Sequence, residues 1–339
     1  MKGNTMNFAL IGYGYWGPNL ARNIKSIPGI NLKYICDVDP DRGKNINFRY
    51  PGTGFVCDCE AIANDKEIDA VLIATPVKTH YLLCKMMLDN GKDVFVEKPL
   101  AYSTDHAQEL VNLAEKNEKI LMIGHTFLYS PSVNEIKKII NSGELGEIYF
   151  ISSSRVNLGK HQKDVSVLWD LAPHDLSMFH YWLESNPHWV SCNGNNYIIK
   201  DIPDVAFMHL NYPGDICVNL EIAWLAPSKL RRVAIVGSQK MLVYNDMETL
   251  EKVKIFDKGV DYKDPESFGE YQLSYRSGNI FSPYISSQEP LYLEVLDFYN
   301  SIKNRTQPVS NGRLGLNIVK IIEKAEQSLN NKGEQVKLV

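Results

Sequence analysis

Apolar and polar positions alternate along this chain in two distinct regimes. Short, continuous apolar runs dominate the first third: Phe8–Ile11, Leu32–Cys36, Asp69–Thr75, Asp93–Glu97 and Ile120–Gly124. Runs of this kind suit strands buried on both faces of a parallel sheet. Between them lie amphipathic stretches at 18–27, 78–90 and 104–117, bounded by Pro18, by Asn90-Gly91 and by Ser103 or Thr104. These bounds are helix start and stop signals. The alternation predicts a doubly wound α/β sheet over residues 1–124.

After residue 124 the pattern changes. Helices are predicted at 131–142, 167–184, 289–304 and 312–331. Between them come strand-like segments at 147–158, 189–198, 204–211, 216–224, 231–237 and 240–245, joined by turns short enough for hairpins. Residues 125–339 are therefore expected to form an α+β domain on a large, mostly antiparallel open sheet. Residues 246–288 are polar and carry no clear period. An uncovered sheet face would suit a homodimer or homotetramer.

The first apolar run ends in Gly12-Tyr-Gly14-Tyr15-Trp16-Gly17, and the second ends in Asp37, twenty residues further on. Gly12 allows a tight turn, Gly14 allows close approach of a pyrophosphate, and Gly17 allows helix and strand to pack. The following helix offers free N–H groups and a partial positive charge. Asp37 can accept from ribose hydroxyls and repels a 2′-phosphate, so NAD is the expected cofactor. Arg42 weakens that preference slightly, and its ordinary reading is a solvated helix residue. Other strand ends add Thr75-Pro76 with His80, Glu97-Lys98-Pro99, and His125 with Tyr129. Ligands of open α/β sheets bind at such ends.

Lys98 can hydrogen-bond a substrate oxygen in the nicotinamide cleft. Asp170 and His174 are four residues apart, so on a helix they share a face. His174 can take the proton of an alcohol as hydride leaves its carbon, and Asp170 can orient it or bind a neighbouring hydroxyl. Pro173 is expected to kink that helix or to sit in its first turn. Asp175 reads as a cap or a solvated side chain. Arg155, Asn157, Lys160, His161 and Lys163 lie on the preceding segment, where a basic cluster could hold a pyrophosphate or a carboxylate.

Composition changes this picture little. The chain has 339 residues and a net charge of −4 with signs mixed, so no nucleic-acid surface is expected. Six cysteines are scattered, and the Cys57-x-Cys59 pair has no second half, so no metal site is expected. Reduced thiols, no leader peptide and a cytoplasmic location are the default expectations.

Taken together, the glycine turn, Glu97-Lys98-Pro99 and Asp170-x-x-x-His174 resemble the Gfo/Idh/MocA oxidoreductase family over essentially the whole chain. Ala172-Pro173 depart from the Asp-x-Gly-x-His form that many members carry, but keep its spacing. The resemblance implies hydride transfer between nicotinamide and a sugar-type hydroxyl, with Lys98, Asp170 and His174 catalytic. Arg155-x-Asn157-Leu-Gly159 followed by Trp169–Leu176 is similar to a subset of nucleotide-sugar 3-dehydrogenases. That subset implies C3 oxidation of a UDP-linked N-acetylhexosamine or its uronic acid. A keto-deoxysugar-nucleotide reductase, a polyol dehydrogenase and a non-catalytic dinucleotide sensor are the alternatives.

Overall fold

The computed structural model describes residues 5–159, 161, 165–263 and 272–338. The chain opens with β1 (Met6–Ile11), α1 (Gly17–Ser26), β2 (Ile30–Cys36), α2 (Ile46–Arg49), β3 (Gly54–Val56) and α3 (Cys59–Asn64). It continues with β4 (Ala70–Ile73), α4 (Val77–Asp89), β5 (Asp93–Glu97), α5 (Thr104–Lys116) and β6 (Leu121–Gly124). Then follow α6 (Pro131–Asn141), β7 (Ile148–Val156), α7 (Val167–Leu183), β8 (Trp189–Asn195), β9 (Val205–Tyr212) and β10 (Ile216–Ala223). The remainder is β11 (Leu230–Gly237), β12 (Met241–Asn245), β13 (Val253–Lys263), β14 (Gln272–Phe281), α8 (Pro290–Asn304), α9 (Gly312–Asn330) and β15 (Val336–Lys337).

The chain divides into two compact units: Met1–Tyr129 with Gln288–Lys320, and Ser130–Ser287 with Ile321–Val339. In the first, six parallel strands run in the order β3-β2-β1-β4-β5-β6. Phe8–Ile11 and Ala70–Ile73 are buried throughout, which is why they read as unbroken apolar runs. The strand order reverses between β1 and β4, the switch point where such sheets bind ligands. Local caps set the helices: the Asp58 carboxylate accepts from Glu60 N–H, and Ser103 Oγ from His106 N–H.

The expected division at residue 124 needs correction, because the chain returns to the first unit at Gln288. Helix α8 buries its apolar face there. The Phe298 ring meets Phe8 and Phe95 edge-on, with centroids 5.7 and 5.9 Å away. Burying one such ring contributes about 1.5–3 kcal/mol. Arg305 pairs with buried Asp93, and the Tyr129 hydroxyl donates to Asp297 at 2.7 Å. None of these long-range partners is visible in the local pattern.

The second unit carries, among the described residues, a nine-stranded sheet in the order β14-β13-β12-β11-β7-β10-β9-β8-β15. Only the β7–β10 pair is parallel. The stretch that carried no period, 246–288, supplies the edge hairpin β13–β14. Edge strands need no apolar face, and Tyr275, Ile280 and Phe281 are exposed there. Helix α7 runs through Pro173, beginning six residues before it rather than at it. Proline lacks the N–H that would bond the carbonyl four residues back, so that one helical bond is missing. Among the described residues, no helix is long and apolar enough to cross a membrane.

Candidate active site

The first unit places the glycine turn directly after β1. A Cβ on Gly12 would lie 2.5 Å from the Ala74 carbonyl oxygen, and its φ of +94° is one that side-chain-bearing residues rarely adopt. A Cβ on Gly17 would lie 2.4 Å from the Gly12 oxygen. Both positions therefore demand glycine: Gly12 for the turn, and Gly17 for helix-to-strand contact. Trp16 precedes α1, Pro18 occupies its first turn, and Tyr15 projects into solvent at 93% exposure.

Asp37 leaves the end of β2. Its carboxylate accepts from Tyr13 N–H at 2.7 Å and from Asp39 N–H at 3.0 Å. The acid is thus locked to the glycine turn before any ligand arrives. Arg42 is not simply solvated, as its sequence reading had it. Its Nη1 lies 3.5 Å from Asp37 Oδ2, and a Cβ on Gly14 would lie 3.1 Å from the same nitrogen. A guanidinium therefore stands beside the second glycine.

His80, expected to touch the cofactor, is buried at the strand ends. Its Nδ1 lies 2.8 Å from the Pro99 carbonyl oxygen and its Nε2 2.9 Å from the Thr75 carbonyl oxygen. The ring bridges the end of β4 to the loop that carries Lys98, while burial holds its pKa below the ordinary range. Only a protonated imidazole donates to both carbonyls, so these two tendencies oppose each other. Thr75 Oγ1 accepts from the Thr79 hydroxyl at 2.7 Å. The Lys98–Pro99 peptide bond is cis.

Glu97 ends β5 against Gly124, where any Cβ would lie 2.9 Å from its carboxyl. Its Oε1 is buried and unpartnered among the described residues, and burial raises its pKa to about 7. The Trp16 indole N–H lies close enough to lower that value without reaching hydrogen-bond geometry. A second acid, Glu294 of α8, is fully buried. Its Oε2 accepts from Thr126 at 2.8 Å, and burial followed by the nearby Glu97 carboxyl pushes its pKa well up. Sequence reading missed Glu294, because nothing local marks one acid on an amphipathic helix as buried. His125 follows β6 and is buried. Tyr129, expected to bind substrate, spends its hydroxyl on Asp297 and Ser310, and burial raises its pKa strongly. Its hydroxyl thereby ties the segment after β6 to α8.

The second unit holds Asp170 and His174 on α7, one turn apart. Asp170 Oδ2 accepts from the Trp224 indole N–H at 3.1 Å. Trp224 also shapes the approach to α7: Gly159 N–H donates to its carbonyl at 2.9 Å, and a Cβ on Gly159 would strike its ring. The His161 ring meets Trp224 edge-on at 5.5 Å, and its Nε2 lies 3.9 Å from Asp204 Oδ2. Asn157 follows β7 and donates its N–H to the Ala223 carbonyl. Trp224 and Asp204 escaped sequence reading, since neither belongs to a spaced motif.

Arg155 does not lie in an open basic loop. It is 4% exposed on β7, and its Nε donates to Asp175. Asp175, read as a cap or solvated, is buried and also accepts from Ser153 Oγ at 2.8 Å. A buried guanidinium needs a carboxylate, and the pair β7–α7 supplies it. Lys160 and Lys163, the remaining basic expectations, lie outside the described residues.

Comparison with known proteins agrees with both units. Residues 6–125 match the oxidoreductase family, NAD-binding Rossmann fold, of the GFO/IDH/MocA group, and residues 133–243 match the GFO/IDH/MocA C-terminal domain. The chain belongs to the Gfo/Idh/MocA oxidoreductase family. It is 26% identical to the scyllo-inositol 2-dehydrogenase (NAD(+)) of Bacillus subtilis over 232 residues, 65% of this chain and 67% of that protein. It is 27% identical to the 2,7-anhydro-N-acetylneuraminate hydratase of Escherichia coli over 266 residues, 74% of this chain and 70% of that one. With other curated relatives the chain spans only 59% of their length. A solved UDP-N-acetylglucosamine 3-dehydrogenase, GnnA from Acidithiobacillus ferrooxidans, superposes with a TM-score of 0.80 over 96% of this chain and 98% of that one, at 20% identity. That likeness is one of fold.

Proposed function

We propose that this protein is an NAD(H)-dependent oxidoreductase that moves hydride between nicotinamide and a sugar-type hydroxyl. The observation that carries the reading lies in the first unit. Gly12, Asp37, Thr75 and Glu97-Lys98 stand at the carboxyl ends of neighbouring parallel strands, with the acid already bonded to the glycine turn. The residues present fit a dinucleotide: two glycines that tolerate no side chain, a helix N-terminus, and a carboxylate where ribose hydroxyls would sit. Gly14, Tyr15, Trp16, Thr75 and Pro76 complete this cradle in the proposal. Bound nicotinamide supplies the hydride acceptor or donor.

This chain's own residues then manage the proton and the charge. Lys98 donates a hydrogen bond to the reacting oxygen and stabilises the negative charge that develops there. His174 takes the proton of the hydroxyl, and Asp170, held by the Trp224 indole, aligns His174 or a neighbouring hydroxyl. For the substrate we propose a UDP-linked N-acetylhexosamine, or its uronic acid, oxidised at C3. A polyol such as an inositol stands second, favoured by the scyllo-inositol 2-dehydrogenase relative.

The test is NADH absorbance with NAD⁺ and a panel of UDP-N-acetylglucosamine, its uronic acid, myo-inositol and glucose, with a 2-oxo acid added to recycle trapped NADH. Turnover confined to UDP sugars supports the proposal, and turnover with free polyols alone replaces the substrate. Lys98→Met is expected to lower kcat about 10²–10⁴-fold while NADH still binds. Unchanged turnover in that variant defeats the catalytic assignment.

A further inference from the structure

All six cysteines are free thiols, yet two of them meet. Cys36 ends β2 and Cys59 opens α3, and their sulfurs lie 3.6 Å apart. Cys36 is buried, Cys59 is half-buried, and Cys57 is exposed. The sequence pairs Cys57 with Cys59 by spacing; the fold instead pairs Cys59 with a residue 23 positions away.

The position of Cys36 makes this contact consequential. Its carbonyl accepts from Gly12 N–H at 2.8 Å, which closes the first step of the glycine turn. The next residue is Asp37, whose own N–H donates to the Val56 carbonyl at 3.2 Å. One residue therefore connects by backbone to both the phosphate turn and the ribose acid.

We propose that Cys36 and Cys59 are a modification site, forming a reversible disulfide by exchange with a small-molecule disulfide, and that this bond weakens dinucleotide binding at the adjoining turn. The order of steps follows from the pair. The two sulfurs lie within hydrogen-bond reach, and either can donate; the contact lowers the Cys59 pKa from its ordinary value and raises that of Cys36, with burial raising the latter further. Cys59 is also the more accessible of the two, so it is the first nucleophile. Its thiolate attacks one sulfur of the small disulfide, that S–S bond breaks, one small thiolate departs, and a mixed disulfide remains on Cys59. Cys36 gives its proton to a departing thiolate and attacks the Cys59 sulfur, expelling the second small thiol. Two protein thiols are oxidised, and one small disulfide is reduced to two thiols.

A disulfide bond is about 2 Å long, so the sulfurs must close by more than an ångström. Strand β2 is paired on both sides at Cys36, with β1 and with β3. Movement of its end loads the Gly12–Cys36 and Asp37–Val56 bonds, and with them the position of the Asp37 carboxylate.

The experiment uses the full chain, first reduced and shown to bind NADH, then incubated with glutathione disulfide. Peptide mapping is expected to find a Cys36–Cys59 link, and NADH affinity to fall by about tenfold, within the usual range of coupling between sites. Dithiothreitol restores both. Cys57→Ser keeps the response; Cys59→Ser, with Cys59→Ala as a second variant should serine disturb the fold, abolishes it and binds NADH as the reduced protein does. A Cys57–Cys59 link, or a glutathione adduct alone, overturns the modification site. A Cys36–Cys59 link with unchanged NADH affinity overturns its effect on binding. Because reduced protein must bind NADH before oxidation, neither result can be confused with a protein that never bound the dinucleotide.

Discussion

The two units present their polar residues in opposite ways. In the first, the dinucleotide features are mostly backbone: glycines without room for a Cβ, strand ends in a fixed parallel order, and one acid tied to main-chain N–H groups. In the second, they are side-chain pairs drawn from distant segments: Asp170 with Trp224, Arg155 with Asp175, His161 with Asp204. A backbone cradle is specified by a short motif and its spacing. A side-chain network is specified by packing, and its members are interchangeable in sequence with any buried tryptophan or surface acid. The lesson is that spacing alone reads the first kind of site well and the second kind poorly.

That contrast can be broken at several points. The largest effect is expected from Arg155→Met, which leaves the Asp175 carboxylate buried without its cation. The loss should be about 3–5 kcal/mol in denaturant unfolding, and a compensating Asp175→Leu should recover much of it. A loss below about 1 kcal/mol would show that this pair behaves as a solvated surface ion pair rather than a buried one.

The next effect concerns Glu97 and depends on pH. Its folded pKa of about 7 lies above the ordinary carboxyl value, so the folded state favours the protonated acid. The associated stability is fully present below about pH 4.5 and is lost as pH rises through 7. Glu97→Gln stays neutral throughout. It should match the parent at acid pH and exceed it by about 1–3 kcal/mol at pH 8. A constant difference across pH 4–8, followed by thermal unfolding, would sink this assignment.

The smallest effect is expected from Trp224→Phe, which keeps the ring but removes the donor to Asp170. About 1 kcal/mol should be lost, read as a few-fold fall in kcat/KM if Asp170 acts as proposed. An equal fall in Asp170→Asn and in the double variant would show that both act as one unit.

Much of the fold was legible from pattern alone. The alternation of apolar runs with amphipathic helices located every long helix within a residue or two and five of the six parallel strands nearly as well; the three-residue strand β3 at Gly54–Val56 and the short helices α2 and α3 are too brief to show a pattern. The edge hairpin over 253–281 was not legible, because edge strands exposed to solvent need no alternating apolar face. The return of α8 to the first unit was hidden for a different reason. An amphipathic helix records that it has a partner, not which partner, and only Phe298 between Phe8 and Phe95 discloses it.

The candidate site divides the same way. Gly12, Gly17 and Asp37 are where their spacing put them, since a turn of that geometry admits few residue types. His80, Tyr129 and Arg155 stand near strand ends in sequence, and in the fold the His80 ring meets the Thr75 and Pro99 carbonyls, the Tyr129 hydroxyl meets Asp297 and Ser310, and Arg155 Nε meets Asp175. Distance along the chain cannot reveal whether a polar atom near a site is already satisfied.

The sequence by itself determined the parallel sheet, the glycine turn and the acid that serves it, because backbone conformation and strand burial are local properties of residue type. Only the tertiary structure decided which polar groups remain available, that Cys36 meets Cys59 rather than Cys57 meeting Cys59, and that Glu294 lies buried near Glu97. Those outcomes depend on which buried group finds which partner across tens to hundreds of residues, and desolvation makes every such pairing exclusive.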